Sequence, residues 1–309
     1  MSELLILKPI FKERIWGGTK LKEVFGYAIP TNTTGECWAI SAHPEGESTI
    51  MNGEYLGQTL SQVYQDHPEL FNYCKSKTFP LLTKIIDADA DLSIQVHPDD
   101  AYASKHTKDH GKSECWYVLD AKEDASMIFG HKAQTKEEFM QLVKEGNWND
   151  LLIRKPVKNG DFIYVPAGTI HALCQGTMVL ETQQSSDTTY RLYDYDRVDS
   201  MGQKRQLHVK ESIEVATIPH LELPLLMMLT HDGQNINTRF IQNQHFTVEK
   251  WDIHDYVQFP NDKFFLVSVI EGDGMINLTK VSKGMHLIIT SEAKEVKLEG
   301  KFSLIVSYL

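Results

Sequence analysis

No apolar run in the 309-residue chain approaches the ~18 residues that a membrane-spanning helix needs. The short apolar stretch at the N-terminus is broken by Lys8 and Pro9 and lacks a small-residue cleavage site, so no secretory leader is expected. Cysteine is scarce: Cys37, Cys74, Cys115 and Cys174 lie far apart and form no C-x-x-C pair. That excludes a disulfide framework and fits buried thiols in a reducing, cytoplasmic setting. Positive charge is also in deficit. Lys and Arg total 31 against 42 Asp and Glu, a net charge of -11, which argues against a nucleic-acid or anionic-membrane footprint. A sugar-phosphate-sized substrate needs only a few local cations and stays open. There is no G-x-x-x-x-G-K-[ST] loop, no strict repeat and no low-complexity segment, and no obligate protein partner is evident. With 41% hydrophobic and 24% charged residues the composition is that of a folded globular protein.

Short β-rich runs between turn residues dominate the chain. Segments 161–167, 264–272, 285–290 and 302–308 read as strands, and in the last Phe302, Leu304, Val306 and Tyr308 share one face with Ser303 and Ser307 opposite. Many such strands predict a sandwich or barrel. Three helices interrupt them. Segment 59–74 carries Leu60, Val63 and Tyr64 at helical spacing and restarts at Pro68. Segment 135–152 opens with a Thr135/Glu138 capping box and an apolar stripe of Phe139, Leu142 and Val143. Segment 207–217 stops before Pro219. A linker follows, and the remaining residues read as all-β, so two units are expected: a catalytic one over 1–220 and a β-barrel over 221–309.

The most informative segment runs from Gly160 through Pro166 and Gly168 to His171, with spacing G-x5-P-x-G-x2-H. A strand enters, Pro and Gly turn it, and the next strand opens on a histidine whose neutral imidazole can bind a first-row metal. This spacing resembles the second motif of the cupin superfamily, which demands further ligands upstream. The chain offers Ser93-Ile-Gln95-Val-His97-Pro-Asp-Asp, in which Gln95 and His97 share a strand face, and then Gly111-Lys112-Ser-Glu114, in which Lys112 and Glu114 do the same. Together Gln95, His97, Glu114 and His171 offer two nitrogens and two oxygens, and this thiolate-free set suits an open catalytic zinc site. With one carboxylate, the ion keeps net positive charge and remains a Lewis acid.

Gln95 in place of the first His of a cupin H-x-H, and the long stretch between His97 and Glu114, narrow the resemblance. The chain resembles the type I mannose-6-phosphate isomerases in their short bacterial form. The likeness is carried by S-I-Q-V-H-P-D-D, G-K-x-E, P-x-G-x-x-H and an Arg ten residues after a Glu, together with Trp16-Gly-Gly, Thr34-Gly-Glu-Cys-Trp38 and Pro80-Leu-Leu-Thr-Lys84. Beyond about residue 215 it extends to the fold alone. The resemblance implies a mainly β fold with two cupin-like, jelly-roll barrels and helical insertions in the N-terminal part. It implies a zinc-dependent aldose–ketose isomerase that interconverts mannose 6-phosphate and fructose 6-phosphate by proton transfer between C1 and C2, through an enediol-like intermediate. It carries over Gln95, His97, Glu114 and His171 as ligands of one zinc ion, Arg191 as the catalytic residue, and Ser93, Lys112, Lys84 and Glu181 as pocket residues. Trp16 is expected to wall the sugar site.

The chemistry agrees. A developing oxyanion needs fixed positive charge in a water-poor site, which zinc and Arg191 can supply, and a phosphate needs cations and hydroxyls such as Lys112, Arg191 and Ser93. The proton-transferring base stays open among Glu181, Lys112, a zinc-bound water and another group. His106 and His110, in a highly polar setting without a third ligand, read as a solvated loop. Cys115 and Cys174 read as packing residues. Glu271-Gly-Asp-Gly274 and Lys283-Gly284 resemble the turn and strand entry of a second, metal-free barrel. The competing readings are another metal cupin, such as a dioxygenase or a cupin-type glucose-6-phosphate isomerase, and a sugar-binding cupin without catalysis.

Overall fold

A computed structural model describes residues 3–199 and 201–309. It is built almost entirely from antiparallel sheets. A six-stranded sheet occupies the centre, in the order Phe162–Val165, Glu114–Ala121, Thr177–Gln184, Leu81–Ala88, Thr34–Ile40 and Ile10–Gly18. Every residue of Thr34–Ile40 and Leu81–Ala88 is buried, so this sheet is covered on both faces. Alternation along Glu114–Ala121 shows how: Cys115 and Tyr117 pack into one core with Ile85 and Leu180, while Trp116 and Val118 pack into another with Ile86 and Val179.

Across that second core lies a five-stranded sheet, ordered Leu152–Pro156, Ser126–His131, His171–Leu173, Ile94–Val96 and Tyr190–Tyr193. Helices Lys136–Glu145 and Val209–Val215 pack on its other face, through Phe139 and Ile213. The Thr135 hydroxyl caps the first of these from the Glu138 N–H, but the Glu138 carboxylate accepts from Gln134 N–H, one residue earlier than a capping box requires. The full box occurs instead at Thr59 and Gln62, which open the helix Leu60–Asp66.

The C-terminal strands form a third sheet, which also takes in Leu4–Lys8, paired with His286–Ile289, and Thr49–Ile50. Strand pairing therefore crosses the boundary expected near residue 220. In Glu295–Tyr308 the face bearing Phe302, Leu304, Val306 and Tyr308 lies in a C-terminal core. Ser307 on the opposite face is buried too, and its hydroxyl meets that of Thr182 in the central sheet at 2.9 Å. The expected turn at 271–274 is instead part of one long strand, Phe265–Ile276. The register slips between Val269 and Glu271, and Gly272 (φ 72°) sits where a Cβ would come 2.1 Å from the Lys301 carbonyl, so the glycine serves a bulge against the partner strand.

Two glycines set the wall of the N-terminal cavity described below. A Cβ on Gly17 would stand 2.3 Å from the Gly35 nitrogen, and one on Gly35 would stand 2.6 Å from the Trp16 ring. Only bare backbone permits this approach, which holds Trp16 against the second core. The Gly17→Ala substitution should cost about 1–3 kcal/mol, the usual penalty of forced overpacking. Chemical denaturation reads it, and an unchanged midpoint would contradict the crowding.

Candidate active site

Two rows of cross-strand neighbours face each other between the five- and six-stranded sheets. In the first, Gln95 stands opposite His171 on one side and Arg191 on the other. In the second, Trp116, Glu181, Lys84 and Trp38 follow one another across four strands. The edge of Trp116 meets His171 at a centroid distance of 5.5 Å, joining the two rows. Two-residue periodicity adds His97 beyond Gln95 and Glu114 before Trp116.

There the ligand-type atoms of His97, Glu114 and His171 all lie within 4.8 Å of one another, and all three side chains are buried. Each imidazole Nδ1 faces a backbone carbonyl, His97 that of Thr188 at 2.9 Å and His171 that of Thr169 at 2.8 Å. A carbonyl can only accept, so each Nδ1 carries the proton and each Nε2 presents a lone pair. Those lone pairs point at the carboxylate: His97 Nε2 is 3.4 Å from Glu114 Oε2, and His171 Nε2 is 3.2 Å from Oε1. His97 Nε2 and Glu114 Oε1 are buried without a donor, and Oε2 is met by the Lys112 ammonium at 3.0 Å. Three converging electron-rich groups whose lone pairs face one another are what a divalent cation requires. The Gln95 amide adjoins them, its Nε2 3.3 Å from His171 Nε2, so ligation through its oxygen needs the amide turned over.

The surrounding charges keep the ligands in their binding forms. Burial pushes His97 down, and the Lys112 cation pushes it further, to about 4. Burial alone would raise Glu114, but the Lys112 cation holds it well below the usual carboxylate range. The Lys112 ammonium lies 3.0 Å from Glu114 Oε2 and is itself buried; burial lowers its pKa, but Glu114 and then Glu181 raise it above the ordinary lysine value.

A cavity of about 460 Å³ opens beside this cluster. Trp16, Lys84, Ser93, Gln95, Lys112, Glu181 and Arg191 all line it, so every pocket residue and the catalytic arginine expected from the sequence face one space. Arg191 Nε reaches Ser93 Oγ at 3.3 Å, and its Nη1 donates to the Gln206 carbonyl at 2.8 Å. Glu181 accepts from Trp116 Nε1 at 3.0 Å and lies 3.9 Å from the Lys84 ammonium, while its Oε2 has no hydrogen-bond partner. Burial and the Glu114 charge raise Glu181 to about 7. Buried Cys115 packs into the core behind the central sheet, and exposed His106 stacks on Tyr102.

Residues that sequence reasoning passed over also line the cavity. Glu36 takes two 2.9 Å bonds from Arg14 and one of 2.7 Å from Trp38 Nε1. Although burial raises its pKa, Lys84 and Arg14 bring it down to about 2. Arg205 enters from beyond the five-stranded sheet, anchored on Asp194 at 2.7 Å. Glu36 sits inside the quoted T-G-E-C-W segment and could have been flagged there. Nothing local marks Arg205.

The catalytic-domain model of type I phosphomannose isomerase matches residues 4–139, and the cupin-domain model of mannose-6-phosphate isomerase matches residues 236–309. The chain is 49% identical over 316 residues to mannose-6-phosphate isomerase ManA of Bacillus subtilis (strain 168), covering 100% of this chain and 99% of that one. The chain belongs to the type I mannose-6-phosphate isomerase family. A crystal structure of mannose 6-phosphate isomerase from Bacillus subtilis superposes with a TM-score of 0.98 at 45% identity, covering all of both chains. A more distant mannose 6-phosphate isomerase, solved bound with zinc and yttrium, shares the fold at a TM-score of 0.79 and 17% identity, covering 99% of each chain. The cupin-domain match within a mainly β structure agrees with the fold class read from the sequence. No helix of the described residues is long and apolar enough to cross a membrane.

His171→Ala should weaken metal binding at least ~100-fold, since loss of an outer partner of a ligand alone costs 10–100-fold. Elemental analysis of the purified variant checks this, and full metal content would remove His171 from the ligand set.

Proposed function

We propose that the chain is a zinc-dependent aldose–ketose isomerase interconverting D-mannose 6-phosphate and D-fructose 6-phosphate. The observation that carries this reading is the buried His97–Glu114–His171 cluster, whose lone pairs converge beside a cavity lined by Lys84, Lys112, Arg191 and Arg205. Full-length similarity to ManA, and the zinc bound by the more distant relative, support the same choice of substrate and metal. His97, Glu114, His171 and a turned Gln95 would hold the ion, which supplies Lewis-acid charge at the sugar oxygens.

Opening the ring exposes the C1 aldehyde of the aldose. Removal of the C2 proton then turns the C1–C2 pair into an enediolate. Return of a proton to C1, with transfer of the O2 hydroxyl proton to O1, leaves the C1 alcohol and the C2 ketone. Glu181 faces the cavity with an unpartnered Oε2, is held in place by Trp116, and is the carboxylate we assign to carbon-proton transfer. Lys112 is committed to Glu114 and serves the cluster's charge balance rather than a phosphate. Arg191, beside Gln95 in the sheet, offers a fixed cation to the developing oxyanion, and its bond to Ser93 steadies the guanidinium. Arg205 also lines the cavity, and with its Nε and Nη2 held by Asp194 it keeps its Nη1 donors to offer the phosphate.

A coupled assay of the purified, metal-quantified protein should show turnover of mannose 6-phosphate and little of glucose 6-phosphate. Exhaustive chelation should abolish turnover and zinc restore it; full activity in a verified metal-free sample would defeat the zinc assignment. Arg191→Ala should lower kcat/KM by at least ~100-fold, the loss typical of removing one charge-stabilising donor. Near-normal kinetics would take Arg191 out of the catalytic set.

A further inference from the structure

A second cavity, of about 410 Å³, opens in the C-terminal sheet and shares no lining residue with the first. Its volume lies in the ~300–1,000 Å³ range of small-molecule sites. Three strands build it by simple alternation. Asn237 and Arg239 project from Asn235–Gln242, directly opposite Trp251 and Glu249 of Thr247–Ile253, and Thr230 stands opposite Asn237 on the outer strand Met228–Asp232. Phe259 and Phe265 complete an aromatic wall with Trp251, at ring-centroid distances of 5.4 and 5.5 Å.

Glu249 organises the polar side. It is buried and accepts four hydrogen bonds: from Asn237 Nδ2 at 2.9 Å, Arg239 Nε at 2.8 Å, Trp251 Nε1 at 2.8 Å and the Tyr308 hydroxyl at 2.9 Å. This locks the Asn237 amide with its nitrogen on the carboxylate and leaves Oδ1 without a donor. Arg239 spends its Nε on Glu249 and its Nη1 on Gln242, keeping further N–H donors for a guest. A site with packed aromatic rings on one side, and fixed donors and acceptors on the other, suits a ring with an apolar face and a hydroxylated edge.

Charge decides which ring. The Arg239 cation is neutralised by Glu249 at 2.8 Å, Lys263 lies over the Tyr308 ring at 4.7 Å, and Asp232 and Asp262 also line the cavity. With two cations against three carboxylates, this cavity disfavours a phosphate, whereas the N-terminal cavity sets five cations, Arg14, Lys84, Lys112, Arg191 and Arg205, against the four carboxylates Glu13, Glu36, Glu181 and Asp187. We propose that the C-terminal cavity is a binding site for a neutral, unphosphorylated monosaccharide, separate from the isomerase centre. The two C-terminal features that recognise it are the Glu249-locked Asn237–Arg239 pair and the Trp251–Phe259–Phe265 wall.

The test is a titration of the metal-loaded protein with D-mannose, followed by saturation-transfer NMR and tryptophan fluorescence, while saturating fructose 6-phosphate occupies the N-terminal cavity. Saturable binding on the order of millimolar is expected, as befits a small ligand with few contact atoms. Asn237→Leu and Phe259→Ala should each weaken it at least ~10-fold with unchanged isomerase kcat/KM. If one variant fails to fold, the other gives the same readout. Inorganic phosphate should not compete. The proposal is overturned by absence of saturation, by displacement of mannose by fructose 6-phosphate, by competition from phosphate, or by folded variants that bind mannose like the wild type.

Discussion

A fully buried carboxylate with too few donors governs the N-terminal half of this protein. Glu114 has no solvent exposure, and beyond an ion pair to Lys112 it meets only the lone-pair sides of two imidazoles. Burying an anion in that state is costly, and stripping one partner from a buried pair typically costs 3–5 kcal/mol. The arrangement fits a metal-ion site. Each neighbour is arranged to that end: Thr188 and Thr169 carbonyls fix the imidazole tautomers, and Lys112 keeps Glu114 ionised and His97 neutral.

The sheets explain why these groups can be held so closely. Gln95, His171 and Arg191 are cross-strand neighbours in one sheet, and Glu114, Trp116, Glu181 and Lys84 are tied together in the other. A site built on paired strands has little freedom to drift, which matters where a reacting atom must be placed to a fraction of an ångström. The second face of the central sheet is sealed by helices and the C-terminal strands, down to the Thr182–Ser307 contact next to Glu181. The C-terminal unit therefore stabilises the catalytic sheet whatever it binds in its own cavity.

The same chain thus carries two cavities of similar size whose linings differ in charge balance. In the first, five cationic side chains stand against four carboxylates in the lining. In the second, a single glutamate absorbs four donors and leaves a balanced, aromatic-walled space. Each rests on an organising carboxylate, Glu114 or Glu249, and the difference lies in what satisfies it: lone pairs that call for a metal, or N–H and O–H donors that complete the shell.

The local sequence determined a great deal. Period-two alternation, the Pro166–Gly168 turn into His171, the Q-x-H pair and the K-x-E pair are short-range patterns, and each placed its residues on a common strand face before any tertiary information. The expectation of a turn at 271–274 failed because a glycine that serves a bulge and one that serves a turn look alike in one dimension. The tertiary structure alone decided that Lys112 answers Glu114, that Glu36 is held by Arg14 and Trp38, that Arg205 reaches the cavity from a distant loop, and that Leu4–Lys8 joins the C-terminal sheet. Those pairings join residues remote in the chain or on facing sheets, and which charge meets which depends on how the sheets stack, a matter on which spacing along the backbone is silent.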